Sequence, residues 1–192
     1  LAKSVVVLVP KSDLTKVLVQ EAANQLTTIS KSVETYRAEM DHLASQLPEY
    51  PVVMGMYGVG DSLGPQLLAE IGDVRRFERK QSLVAFAGVD PMPNQSGEKN
   101  VRSNKSSKRG SPYLRKALFN VMICYLQKAP ADEPVFQFLD RKRAEGKPYY
   151  VYMTAGANKF LRHYYGKVME YLSTLEDLPP VDMDSTGLPK HP

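Results

Sequence analysis

A heptad pattern of apolar residues near the N-terminus limits the folds open to this chain. Apolar side chains recur at alternating spacings of three and four residues, at Leu26, Ile29, Val33, Tyr36, Met40, Leu43 and Leu47. This spacing is typical of a single apolar stripe, here called the heptad stripe, along one face of an α-helix. Ser12 suits the N-cap and Pro48 interrupts the pattern. We therefore predict one helix from about Ser12 to Leu47.

A stripe this narrow must be covered by another apolar surface. Two interpretations are open: the helix lies across the core of its own domain, or it pairs with another helix in a coiled coil or helical hairpin. We favour the second, and expect residues 1–50 to form a long coiled-coil helix that mediates homo-oligomerisation.

The rest of the chain predicts a compact, mainly α domain over residues 51–174, followed by a Pro-rich, acidic tail at 175–192 that we expect to be disordered. Apolar residues at helical spacing precede Gly72, Gly88 and Gly146, which are expected helix ends. Ser111-Pro112 is the expected start of another helix, which runs to the break at Pro130. A last helix is expected to end near Leu172.

Gly58-Val59-Gly60 joins two short apolar stretches and predicts a helix-hairpin-helix-like element. In such a DNA-binding element the glycines permit positive φ and leave backbone N–H groups free to approach a phosphate. The alternative is a plain turn between two helices, which glycine also favours.

A basic segment at residues 93–116 holds seven cations against a single acid, Glu98. The candidate nucleic-acid-binding cations are Lys99, Arg102, Lys105, Lys108, Arg109, Arg115 and Lys116. Interspersed serines and asparagines add hydrogen-bonding groups suited to phosphate oxygens, and Tyr113 could stack on a base. A solvated loop with no function is the alternative.

Composition excludes several classes of site. Cys124 is the only cysteine, so neither a disulfide framework nor a Cys/His metal site is expected, which favours the cytoplasm. No apolar run is long enough to span a bilayer, so no membrane partner is expected. The Asp and Glu residues show no spacing typical of a two-metal nuclease, and we predict no metal site in this chain.

Five motifs in fixed order carry a resemblance to a known family. They are the Gly58-Val59-Gly60 turn, the run LLAEIGD ending at Asp73, Arg76-Phe77, the run AFAGVDP ahead of Gln95-Ser96-Gly97, and Lys108-Arg109-Gly110 ahead of LRKAL. Over residues 52 to about 128 the chain resembles the C-terminal domain of the DEDD-class transposases of bacterial insertion sequences. These are RNA-guided recombinases related to certain bacterial DNA invertases.

The resemblance implies that Ser96 is a nucleophile that attacks a DNA phosphodiester and forms a covalent phosphoserine intermediate. A serine hydroxyl needs activation, and no histidine near it in the sequence obviously provides this. The family completes its active site with a separate N-terminal RuvC-like nuclease domain, whose acidic residues hold a divalent metal, expected to be magnesium. We expect that domain to lie outside this chain, and therefore expect the chain alone to be inert and to need no cofactor of its own.

The implied partners are DNA, a guide RNA and further copies of the chain, in the bacterial cytoplasm. A second function class stays open at this point: a non-catalytic module that binds nucleic acid and oligomerises, with the chemistry elsewhere. A covalent protein–DNA adduct that disappears in Ser96→Ala would separate the two.

Overall fold

The computed structural model describes residues 12–91 and 106–176, and this part of the chain is mainly helical, as predicted. It contains no strand, only an isolated antiparallel bridge between Pro91 and Ser106. The helices are α1 (Asp13–Ser45), α2 (Tyr50–Met54), α3 (Leu63–Ile71), α4 (Lys80–Ala87), α5 (Pro112–Lys128), α6 (Pro134–Ala144) and α7 (Tyr149–Glu176), with a 3₁₀ turn at Val74–Arg76. Of the tail expected to be disordered, residues 175–192, Leu175 and Glu176 instead belong to α7, and residues 177–192 lie outside the described residues.

The chain divides into two units, Leu1–His42 and Leu43–Pro192. In the first, α1 confirms the long helix. Ser12 Oγ accepts a hydrogen bond from the Thr15 N–H at 3.2 Å, as an N-cap should. The heptad stripe is exposed within the single chain, with Leu26 67% and Ile29 61% accessible. Pairing of this stripe with another helix stays a prediction, as do the boundaries at residues 50 and 174.

The core of the second unit forms where α7 packs against α4, α5 and α6. On α5 the fully buried side chains recur at helical spacing, at Leu114, Leu118, Val121, Met122 and Tyr125. On α7, Met153, Ala157, Phe160, Leu161 and Tyr164 form the facing stripe. Gly156 lets α7 approach closely, because a Cβ there would lie 2.6 Å from Leu139 of α6 and 2.7 Å from Met122 of α5.

In the turn between α2 and α3, Gly58 has the positive φ that the sequence suggested for the glycines of this turn, whereas Gly60 does not. Gly58 has φ of 76°, and a Cβ on it would lie 3.2 Å from Val121 of α5. Val59 is buried, and the Gly60 carbonyl accepts the N–H groups of Leu63 and Gly64 at the start of α3. The turn is thus held against α5. Its assignment as a helix-hairpin-helix DNA element stays a prediction.

Local signals fix the ends of the helices that carry the site. Gly88 ends α4 with φ of 65°, the left-handed conformation that glycine favours at a helix end. Ser111 caps α5 by accepting the Leu114 N–H at 3.1 Å, the usual role of an N-cap serine. Its hydroxyl also donates to Glu70 of α3 at 2.7 Å. The start of α5 is therefore joined to α3 as well as capped.

Candidate nucleic-acid interface

Two stretches of backbone, 86–91 and 106–111, lie side by side between α4 and α5. The N–H of Ser111 donates to the Phe86 carbonyl at 3.1 Å, that of Lys108 to Gly88 at 3.1 Å, and that of Ser107 to Asp90 at 2.9 Å. The Ser107 hydroxyl also donates to the Asp90 carboxylate. These bonds bring together the two described stretches that flank residues 92–105.

Arg115 reinforces this junction from α5. Its Nη1 donates to the carbonyls of Ala87 at 3.1 Å and Gly110 at 2.9 Å, so one guanidinium ties both stretches to the helix. Sequence analysis proposed Arg115 as a phosphate contact. The structure adds a positioning role, and the phosphate contact stays a prediction.

The contacts of Arg76 give the Arg76-Phe77 motif of the sequence a structural role. Its guanidinium lies 4.5 Å from the ring centre of Phe77 and 4.6 Å from that of Phe86, and its Nε donates to the Ile71 carbonyl at 3.1 Å. Cation–π stacking of this kind contributes about 0.5–1 kcal/mol at partly exposed sites. The Arg-Phe pair therefore anchors the end of α3 to α4, just before Gly88.

A large cavity, here called the basic cleft, opens beside the junction of the two stretches. Its volume is about 1250 Å³, and residues of α4, α6, α7 and both stretches line it. Its cations are Lys80, Lys108, Arg141, Lys159 and Arg162, all exposed, and no carboxylate is among the described residues that line it. Cations concentrated in a concave surface focus a positive potential that attracts polyanions.

The cations of the cleft differ from their neighbours on α6. Lys142 pairs with Glu145 at 2.8 Å and Arg143 with Asp140 at 2.7 Å. In the part of the chain that the structure describes, the five cleft cations form no ion pair with a carboxylate. Their charge is therefore available to an anionic ligand.

His163 also lines the cleft, on α7. Partial burial lowers the pKa of its imidazole below the usual value, and the nearby Lys167 lowers it further. At neutral pH this side chain is thus an uncharged hydrogen-bonding group at the wall of the cleft.

The residues proposed from the sequence fall in different places. Lys108 lines the basic cleft and Lys116 lines a second, smaller cavity of about 390 Å³ beside it, while Arg109 is exposed on the loop between them. Gly58, Val59 and Gly60 lie at the α2–α3 turn and line neither cavity. Ser96, Lys99, Arg102 and Lys105 lie outside the described residues.

Sequence reasoning missed most of the basic cleft. It did not single out Lys80, Arg141 or Lys159. The sequence of α7 does contain a pattern that could have indicated this surface. Its positions 151, 154, 155, 158, 159 and 162 all line the cleft. These positions follow the spacing of one helical face, and two of them are cations on a stripe that carries no acid.

Two further classes of site are absent from residues 12–91 and 106–176. No group of three or more His, Cys, Asp or Glu side chains is placed to hold a metal ion there. None of the helices in these ranges is both long and apolar enough to cross a membrane.

The architecture and the cleft together define a small helical domain with a basic, concave surface. Residues 50–136 match the model of the transposase IS116/IS110/IS902 family. The chain is 27% identical over 141 residues to an uncharacterized 42 kDa protein of insertion element IS900 from Mycobacterium paratuberculosis. It is 30% identical over 96 residues to the transposase for insertion sequence element IS1111A from Coxiella burnetii. These matches support a transposase domain in this chain.

The chain spans only part of these relatives. The aligned region covers 73% of the chain and 34% of the IS900 protein. It covers 50% of the chain and 26% of the IS1111A transposase. Most of the length of each relative therefore has no counterpart in this chain.

Proposed function

We propose that this chain is the part of an insertion-sequence transposase that holds nucleic acid and supplies the serine nucleophile for strand exchange. One observation carries the proposal: Pro91 and Ser106, the described residues on either side of 92–105, lie together at the basic cleft. Pro91 and Ser106 form an antiparallel bridge, and both line the cleft. The segment that contains Ser96 thus leaves and re-enters the described structure beside the five cleft cations.

Chain connectivity links Ser96 to this surface. Ser96 follows Pro91 by five residues, and five residues span at most about 18 Å when fully extended. The serine hydroxyl is therefore tethered within about this distance of Pro91, which lines the cleft. The resemblance carried by the Gln95-Ser96-Gly97 motif is the reason for choosing this serine over the others of the basic segment.

In the proposed reaction the Ser96 Oγ attacks the phosphorus of a DNA phosphodiester. A phosphoserine ester forms, one phosphorus–oxygen bond of the strand breaks, and the released strand end takes up a proton as a free hydroxyl. The number of phosphoester bonds is conserved, so rejoining needs no external energy source. The cations of the cleft would hold the phosphates of the strand in position and stabilise negative charge that develops in the transition state.

The proposal extends to partners. A guide RNA, further copies of the chain joined through the heptad stripe of α1, and a setting in the bacterial cytoplasm accompany the recombinase interpretation. The magnesium implied by the resemblance does not fit the described residues, which offer no cluster of metal ligands. We assign it to a nuclease domain of the full-length protein and derive no step through it.

The proposal is tested first in the full-length protein with guide RNA, magnesium and cognate DNA. Ser96→Ala removes the attacking atom, so we expect it to abolish both recombination and the covalent protein–DNA adduct seen on a denaturing gel. Nucleic-acid binding should be nearly unchanged, because the cations remain. Ser103→Ala is the matched control and should recombine normally. An adduct that persists in Ser96→Ala would show that Ser96 is not the nucleophile.

The second arm tests the basic cleft in the 192-residue chain. Replacing Arg141, Lys159 and Arg162 by Gln should reduce the log–log salt dependence of DNA binding by about 2 to 3 units, since each phosphate contact contributes about 0.7 to 0.9. The control replaces Lys142 and Arg143 by Gln and should change the slope little, because these side chains are already ion-paired. Equal slopes in the two variants would remove the cleft from the interface.

A further inference from the structure

Tyr150 stands at the boundary between the basic cleft and the second cavity. Both cavities are lined by this residue, together with Val89, Ser106, Lys108 and Thr154. Tyr150 is 72% exposed. A large aromatic ring is therefore presented to solvent at the point where two concave surfaces meet.

The ring is supported by other aromatic side chains rather than projecting alone. Tyr149 contacts it edge to face, with ring centres 5.2 Å apart, and Phe119 of α5 lies 6.4 Å away. Tyr149 in turn contacts Tyr152 at 5.5 Å. Tyr150 thus belongs to a small group of aromatic side chains, while most of its own surface stays open to a ligand.

The backbone below Tyr150 is also held. Tyr150 lies in the first turn of α7, where the Pro148 carbonyl accepts the N–H groups of Val151 and Tyr152. The Thr154 hydroxyl donates to the Tyr150 carbonyl at 2.7 Å. The backbone that carries Tyr150 is therefore fixed by the start of α7, and its exposed ring lies where the two cavities meet.

Cations flank the ring on both sides. Lys159 and Arg162 line the basic cleft, Lys116 lines the second cavity, and Lys108 lines both. A line of cations that passes an exposed aromatic ring is the arrangement by which proteins bind single-stranded nucleic acid: the cations follow the phosphates and a base stacks on the ring. In an intact duplex the base faces are already covered by their neighbours.

We propose that Tyr150 is a stacking platform for an unpaired base, and that the ligand crossing the two cavities is single-stranded nucleic acid or an unpaired stretch of a longer one. This inference rests on the proposed function and names the form of nucleic acid that the surface takes. Tyr113, which the sequence suggested for stacking, is similarly exposed at 66% but lines neither cavity. It therefore provides a matched control.

The experiment measures binding of the 192-residue chain to fluorescein-labelled oligonucleotides by anisotropy. The ligands are a mixed-sequence single strand, its duplex, and a single strand of the same length whose central nucleotides are abasic. Tyr150→Ala should weaken binding of the normal single strand about 5- to 100-fold, the effect of losing one base–aromatic stack. It should leave the abasic strand unchanged. Tyr150→Phe should bind like the original chain, and so should Tyr113→Ala.

Several outcomes would overturn the inference. An equal loss for the normal and abasic strands would mean that Tyr150 does not act through a base. Wild-type binding by Tyr150→Ala, with binding still lost when Arg141, Lys159 and Arg162 are replaced by Gln, would refute stacking and leave the phosphate-binding cleft intact. If the unaltered chain binds none of the ligands, the inference and the proposed function both fail, and a protein partner for this surface becomes the better explanation. Circular dichroism of each variant checks that it is folded.

Discussion

Gly110 lies where the two stretches beside the basic cleft come closest together. A Cβ added to it would overlap the carbonyl oxygen of Phe86 and lie 2.8 Å from the backbone nitrogen of Gly88. Both obstacles are backbone atoms, so no side-chain rotation can relieve the overlap. The Gly110→Ala substitution must therefore push the stretches apart.

The expected cost follows from what that separation breaks. Inserting a methyl group into a tightly packed site costs about 1–3 kcal/mol. The hydrogen bonds from Ser111 to Phe86 and from Lys108 to Gly88 would lengthen, and such bonds contribute about 0.5–1.5 kcal/mol each. The contact between Arg115 and the Gly110 carbonyl would be disturbed as well. We expect Gly110→Ala to lower the free energy of unfolding by about 3 kcal/mol, a large share of the ~5–15 kcal/mol usual for a domain.

Urea denaturation followed by far-ultraviolet circular dichroism measures this change, because helix dominates the signal. Gly166→Ala is the control: it lies inside α7, and an added Cβ meets nothing within 4 Å. It should stabilise the protein by about 0.5–1 kcal/mol, since glycine costs that much more than alanine in a helix. If Gly110→Ala changed stability by less than about 0.5 kcal/mol, the close approach of the two stretches would be wrong.

Two further substitutions separate stability from binding and test the long helix. Lys108 has φ of 53°. Replacing Lys108 by glycine relieves left-handed strain of about 1–2 kcal/mol in the folded state. This gain outweighs the free energy needed to order the more flexible glycine on folding. Lys108→Gly should therefore stabilise the fold by up to about 1 kcal/mol in urea denaturation, yet weaken nucleic-acid binding measured by anisotropy; lower stability would contradict the strain argument. Ile29→Asp in the heptad stripe should reduce self-association measured by light scattering, whereas Ser32→Asp on the same helix should not; a monomer in all three proteins would refute pairing through the stripe.

The helices could be predicted because their limits are set by neighbouring residues. The heptad spacing predicted α1 within a few residues, and Gly88 and Ser111 marked the end of α4 and the start of α5 as observed. Capping and positive φ depend on one or two adjacent side chains, so they are visible in a linear sequence. The 3₁₀ turn at Val74–Arg76 was not predicted: Asp73 caps it locally by accepting the Arg75 N–H, but Arg76 also stacks on Phe86 of α4, which only the fold brings close.

The basic cleft could not be predicted in the same way, because its cations belong to separate elements that come together only when the helices pack. Lys80 comes from α4, Lys108 from the loop before α5, Arg141 from α6, and Lys159 and Arg162 from α7. Sequence reasoning counted charges along residues 93–116, whereas the electrostatic potential depends on distance in space and on the low dielectric of the walls.

Because the cations are brought together in space and not only along the sequence, residues outside the basic segment should also contribute affinity for nucleic acid. If the basic segment acted alone, neutralising its lysines and arginines would remove binding. The structure instead places Lys108, a described residue of that segment, in a cleft with four further cations that belong to α4, α6 and α7. Neutralising the segment should then lower affinity and leave a residual, salt-dependent binding that only substitutions in Arg141, Lys159 and Arg162 remove. If one continuous surface holds a strand, binding should be lost only when the basic segment and these three cleft residues are substituted together, and not when either set is substituted alone.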